Sequence, residues 1–166
     1  DGPEEGTIAK TPCFTILPTV IYPKSRGEIV LKSADPTEAP LIDPHYLEDD
    51  HDAQVLLQGM KLTRQIAATE PLSKYIKSEA TPGEQAQSED ELRAHIRLFS
   101  KTVYHPVGTC AMGNGNLSVV DHRLRVHGID GLRVADAAIM PKIVGGNTNA
   151  PSIMIGEKAA AMIKED

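Results

Sequence analysis

The chain has 166 residues, 40% of them apolar and 24% charged, and 17 Lys and Arg against 23 Asp and Glu leave a formal net charge of −6. This length and content suit one domain with an ordinary core and exclude a disordered, collagenous or coiled-coil chain. An acidic balance without a Lys/Arg cluster argues against nucleic acid or an anionic lipid surface as partner, and no apolar run approaches the roughly 18 residues of a membrane span.

Four Tyr, two Phe and no Trp make the expected core mainly aliphatic. Two cysteines, Cys13 and Cys110, are too few for a disulfide framework, so a reducing, cytoplasmic setting is expected. The sequence opens on Asp1 rather than Met, which predicts a cut or processed start.

In chain order, Phe14 to Tyr22 is rich in β-branched and aromatic residues and predicts a strand, placed at an edge or bulge by Pro18. After the turn signal Pro23-Lys24-Ser25-Arg26-Gly27, the run Glu28 to Ser33 predicts a second strand. Its alternation suits an antiparallel sheet with one buried face. Ala34 to Pro44 contains Pro36, Pro40 and Pro44 and predicts an extended surface crossing.

Between Asp50 and Thr69, Val55, Gly59, Leu62 and Ile66 recur at helical spacing behind Asp49, Asp50 and Asp52, which the positive end of a helix dipole favours. Pro71 closes that helix. Ser88-Glu89-Asp90-Glu91 is a capping box ahead of Leu92, Ile96 and Phe99, predicting a helix from Ser88 to about Ser100. Past residue 100 glycines cluster and the texture becomes short strands and turns. Leu132 to Asp136 predicts a short buried strand, and Ala150 to Lys164 a terminal helix burying Ile155, Ala159 and Met162.

Six histidines are the candidate bases: His45, His51, His95, His105, His122 and His127. His105 stands apart, because Tyr104-His105-Pro106-Val107-Gly108 holds it between a helix end and a rigid Pro/Gly turn. The spacings of His105 with Cys110 and of His122 with His127 are not those of a metal site. There is no Gly-x-Ser-x-Gly elbow and no phosphate loop, and Gly113-Asn114-Gly115 lacks the third glycine of a dinucleotide fingerprint. Asn149 stands just before the terminal helix and admits two readings: an N-cap for an orphan N–H, or an amide that helps bind an electron-rich group at the helix start.

Three runs then carry a resemblance: Tyr104-His105-Pro106-Val107-Gly108-Thr109-Cys110-Ala111-Met112-Gly113, Gly131-Leu132-Arg133-Val134-Ala135-Asp136-Ala137-Ala138-Ile139-Met140-Pro141, and Gly146-Asn147-Thr148-Asn149-Ala150-Pro151-Ser152-Ile153-Met154-Ile155-Gly156-Glu157-Lys158. In this order they resemble the C-terminal part of the glucose-methanol-choline (GMC) oxidoreductases, the flavoprotein family of choline dehydrogenase and aryl-alcohol oxidase. Pro23 to Gly27, Ser33 to Pro36 and Pro40 to Pro44 are similar to the same family's substrate-domain sheet.

The resemblance implies an α+β fold in which an antiparallel sheet with helices packed on it forms the substrate-binding domain over 1–127, and 128–166 returns to the FAD-binding domain. It implies an FAD enzyme that oxidises the CH–OH group of an alcohol, a base taking the hydroxyl proton while hydride passes to the flavin. His105 and Asn149 match the catalytic pair, and Asp136, Ala137, Asn149 and Ala150 match contacts to FAD. No metal is implied. Ser152 stands where many relatives have Thr.

The Gly-x-Gly-x-x-Gly unit that opens these enzymes has no counterpart here, so the chain resembles a C-terminal fragment whose partner is the N-terminal FAD-binding half. Alone it is expected to bind FAD weakly or not at all, to be inactive, and to self-associate. The alternatives are a lyase or decarboxylase on the same flavin scaffold, or a fragment with no activity of its own.

Overall fold

A computed structural model of the chain describes residues 12–166. They form two compact units, one of residues 12–26 and 44–101, the other of 27–43 and 102–166.

The first unit is built on two helices, α1 (Asp50–Ala67) and α2 (Glu89–Phe99). Asp49 caps α1 by accepting the His51 N–H at 2.9 Å, and Asp50 and Asp52 follow in the first turn, as the acidic cluster predicts. The predicted capping box at α2 is present: Ser88 Oγ accepts the Glu91 N–H at 3.3 Å and Glu91 accepts the Ser88 N–H at 2.9 Å. The two helices bury Leu57, Leu92 and Ile96 between them, with Leu47, Leu56, Met60 and Ala86 against this cluster. Ion pairs Lys61–Glu89 and Arg93–Asp50 join them outside the core.

Phe14 to Tyr22 is not a strand. Pro18 lacks an N–H for a ladder, and its ring instead lies against Gly59 of α1, where a Cβ would come within 2.5 Å of it. The turn that follows is fastened to the same helix. The Asp52 carboxylate, 3% exposed, accepts the N–H groups of Lys24 at 2.8 Å and Ser25 at 3.0 Å.

The second unit contains the sheet, which is antiparallel and two-stranded: β1 (Glu28–Val30) pairs with β2 (Leu41–Asp43), Ile29 facing Ile42. The partner of β1 thus comes from the proline-rich crossing, where Leu41-Ile42-Asp43 is an extended tripeptide between Pro40 and Pro44. All six strand residues are exposed, so the expected buried face is not formed among the described residues. Two strands alone have no second layer to cover them.

The core of this unit is Val120, Leu124, Ile139, Met140, Ile155 and Ala159. Ile155 and Ala159 come from α3 (Asn149–Lys164), on the predicted face, with Met162 packed beside them. Each Val, Leu, Ile or Met side chain buried here contributes about 1.5–3 kcal/mol. Leu132 to Asp136 is not a buried strand: only Arg133 forms a bridge, to Arg125, and Leu132 is exposed. The chain turns out of that bridge into a 3-10 turn, Ala137–Ile139.

Candidate functional site

His105, Asp136, Ala137, Asn149 and Ala150 all fall in the second unit, and its core fixes their backbone. Val107, two residues past His105, packs on that core. Gly108 follows at φ +94°, a conformation that favours glycine, and a Cβ there would stand 3.3 Å from the Met140 carbonyl oxygen. The chain then pairs with the 3-10 turn: Cys110 N–H donates to Ala138 O at 3.0 Å and Met112 N–H to Ile139 O at 2.8 Å. The His105 loop and the Asp136–Ala137 turn are thereby held to one framework.

His105 is half-buried, and its Nδ1 lies 3.0 Å from Thr148 Oγ1 and 3.4 Å from the Thr148 peptide nitrogen. Thr148 is 7% exposed and immediately precedes α3. Its carbonyl accepts the N–H of Ser152 at 3.0 Å and the Ser152 hydroxyl at 2.6 Å, which ties it to the first turn of the helix. The imidazole is therefore anchored to the residue next to Asn149. The two members of the expected pair are brought to one helix start by a threonine that the sequence reading passed over.

Asn149 is the first residue of α3, not its N-cap, so the capping reading is corrected. Thr148 occupies the cap position without capping, because its hydroxyl lies on His105. The Asn149 side chain is exposed and, with the peptide N–H groups of Asn149 and Ala150, makes no hydrogen bond among the described residues. Three donor groups therefore stand open at the positive end of a 16-residue helix, the usual arrangement for an electron-rich ligand.

Asp136 precedes the 3-10 turn and its carboxylate accepts the Ala138 N–H at 2.7 Å. The Ile139 N–H is taken by the Asp136 carbonyl at 3.3 Å, which leaves the Ala137 N–H without a backbone partner among the described residues. Asp136 is exposed and Ala137 half-buried against the core.

Three of the other histidines are engaged elsewhere. His95 stacks on Phe99 with ring centroids 4.4 Å apart, and burial lowers its pKa. His127 Nε2 lies 3.0 Å from the Gly113 carbonyl oxygen and His45 Nδ1 2.9 Å from that of Arg26. Among the described residues no three His, Cys, Asp or Glu side chains group to hold a metal ion, and no helix is long and apolar enough to cross a membrane.

Residues 23–156 match the GMC oxidoreductase family profile. The chain is 51% identical over 143 residues to an alcohol dehydrogenase [acceptor] of Pseudomonas putida, covering 86% of this chain and 26% of that protein. It is 42% identical over 155 residues to choline oxidase of Arthrobacter globiformis, covering 91% and 28%. Pyridoxine 4-oxidase from Mesorbium loti superposes with a TM-score of 0.81 at 30% identity over 88% of this chain and 28% of that one. The chain thus spans about a quarter of the length of the relatives it matches. The motif order, the α+β architecture and these matches agree, and the chain belongs to the GMC oxidoreductases, matching their C-terminal domain.

Proposed function

We propose that this chain carries the substrate-facing, proton-accepting part of an FAD-dependent oxidoreductase that oxidises the CH–OH group of an alcohol. The observation that carries this reading is the imidazole of His105 anchored at a helix start whose first donors, on Asn149 and Ala150, are open. The relatives named as an alcohol dehydrogenase and a choline oxidase support an alcohol as the substrate class.

The chemistry of those donors fits FAD. The N–H groups of Asn149 and Ala150 suit an electron-rich ring edge, and the Ala137 N–H beside Asp136 suits a phosphate or ribityl oxygen. Asp136, Ala137, Asn149 and Ala150 would hold the cofactor, which supplies the hydride acceptor when bound. His105 takes the hydroxyl proton of the alcohol, and the Asn149 amide donates to the same oxygen and orients it. In this reading residues 1–127 belong to a substrate-binding domain and 128–166 to the FAD-binding domain of a longer enzyme.

The test joins this chain to a GMC N-terminal FAD-binding half and follows the flavin absorbance during anaerobic addition of primary alcohols. Bleaching is expected. Cleavage of an added substrate without net flavin reduction would assign a lyase or decarboxylase instead, and an inert flavin would leave the chain without this activity. Alone, the chain is expected to bind FAD weakly and to self-associate. A stoichiometric yellow flavin retained through purification, or a monomer by light scattering, would contradict those two expectations.

A further inference from the structure

Gly113-Asn114-Gly115 lacks the third glycine of a dinucleotide fingerprint and is not used at His105, yet it carries a chemistry of its own. Of the four asparagines in the chain, Asn114, Asn116, Asn147 and Asn149, only Asn114 is followed by glycine. A peptide nitrogen can attack the side-chain carbonyl carbon of the asparagine before it, and a Cβ on the attacking residue obstructs that approach. Glycine has no Cβ and leaves the backbone free to bring the two groups together. Asn114 is exposed, and its side-chain amide makes no hydrogen bond among the described residues.

The attacking nitrogen, by contrast, is held. Ser118 Oγ accepts the Gly115 N–H at 3.1 Å, and the Ser118 N–H donates to the Gly115 carbonyl at 2.9 Å. On the other side of Asn114, the Gly113 N–H donates to the Val120 carbonyl at 3.0 Å, and Val120 is fully buried. The loop is therefore anchored to the core just before Asn114 and folded on itself just after. Attack requires the Gly115 nitrogen to give up its proton and turn toward the side chain, which means leaving Ser118. A serine hydroxyl is too weak a base to take that proton, so the contact slows the step.

We propose that Asn114 is a site of spontaneous deamidation through attack by the Gly115 nitrogen, and that the Ser118 hydroxyl sets its pace. Hydroxide removes the Gly115 N–H proton, the nitrogen bonds to Asn114 Cγ, and the Cγ–Nδ2 bond breaks to release ammonia. Water then opens the five-membered imide at either carbonyl. Opening at Cγ gives aspartate, and opening at the main-chain carbonyl gives isoaspartate, whose backbone runs through the former side chain. Nothing is oxidised or reduced: an amide and a water become a carboxylate and ammonium. Either product makes the formal charge of −6 one unit more negative. The new carboxylate arises beside Gly113, whose carbonyl lies 3.0 Å from His127 Nε2.

The test incubates the whole chain in mildly alkaline buffer and follows its tryptic peptide 102–123 by mass spectrometry, with fragmentation separating Asn114 from Asn116. Conversion of amide to acid at Asn114 is expected, with a more acidic species on ion exchange. Asn116, which precedes Leu117, is expected to outlast it. An Asn114 that survives as long as Asn116 would overturn the proposal.

Ser118→Ala is expected to speed the conversion about fivefold, the scale of one net hydrogen bond, and an unchanged rate would overturn the role of Ser118. Hydrogen exchange on the unaltered chain reads the same contact: a slowed Gly115 N–H is expected. One that exchanges at the rate of a free peptide would overturn that role whether or not the alanine variant folds. Gly115→Ala tests the route. A Cβ there stands 3.7 Å from Ser118 Oγ, an ordinary contact, so the turn is kept while the attack is obstructed. Its conversion is expected to fall below native, and a native rate would show that Asn114 is not lost through the imide.

Discussion

Pro18 rests at a point on α1 that Gly59 alone leaves open, since a Cβ at 59 would stand 2.5 Å from the proline Cβ. Alanine is the better helix former by about 1 kcal/mol, yet here its methyl group meets a rigid ring. Overpacking of this kind costs about 1–3 kcal/mol, so the clash is expected to exceed the gain. Gly59→Ala should lower the denaturant midpoint. Gly156 in α3 is the control: a Cβ there meets nothing within 4 Å, and Gly156→Ala should add about 0.5–1 kcal/mol of stability and so raise the midpoint. Equal effects of the two substitutions in urea titrations would show that Pro18 does not press on α1.

Asp52 makes the fold sensitive to acid. Burial raises its pKa, but the hydrogen bonds from Ser25 and Lys24 outweigh burial and hold the carboxyl below its ordinary value of about 3.9. The unfolded chain therefore takes up this proton first as the pH drops. The stabilisation is fully present above about pH 4, the unfolded value, and is lost as the pH falls through the lower folded-state pKa. Asp52→Asn should cost about 1.5–3 kcal/mol near neutrality, the range for hydrogen bonds to a charged group, and should flatten stability against pH below 4. Melting curves at pH 3 and pH 7 check it, and an unchanged acid slope would remove Asp52 from the account.

What the sequence disclosed was local. Ser88 and Glu91 sit three residues apart and close their box wherever a helix follows, and the spacing of Ile155, Ala159 and Met162 names the buried face of α3. Pairings between distant segments were not legible. Phe14 to Tyr22 has the composition of a strand, but Pro18 is drawn to Gly59, and β1 takes Leu41 to Asp43 from a stretch whose prolines mask it. The site divides the same way. His105 and Asn149 stand out by motif, whereas Thr148 lies 43 residues from the ring it meets, and its role depends on a helix start that leaves it nothing else to do.

His105 is expected to account for a large share of the rate. A positioned base contributes about 10²–10⁴ in general acid–base catalysis, so His105→Ala should slow flavin reduction by an amount in that range. The substitution also leaves the buried Thr148 hydroxyl without its partner, so a modest loss of stability, about 1–3 kcal/mol, should accompany it. Stopped-flow reduction separates these effects, because folded, flavin-loaded protein is measured in each case. A fall of less than tenfold would assign the proton to another group.

Asn149 allows a sharper separation of fold from chemistry, because the two make opposite demands on it. As the first residue of α3 it faces the positive end of the helix, where an acid stabilises by about 0.3–1 kcal/mol. Its amide, which makes no hydrogen bond among the described residues, would be the donor that holds the substrate oxygen. Asn149→Asp keeps the size, removes the two N–H donors and places a negative charge beside the oxygen that gives up its proton. The fold should gain slightly in melting temperature. Flavin reduction should fall by about 10²–10³, the cost of losing one such donor. A variant that melts higher and reduces flavin at the native rate would leave Asn149 only a place in the helix, while one that melts lower would show that its amide is needed by the fold after all.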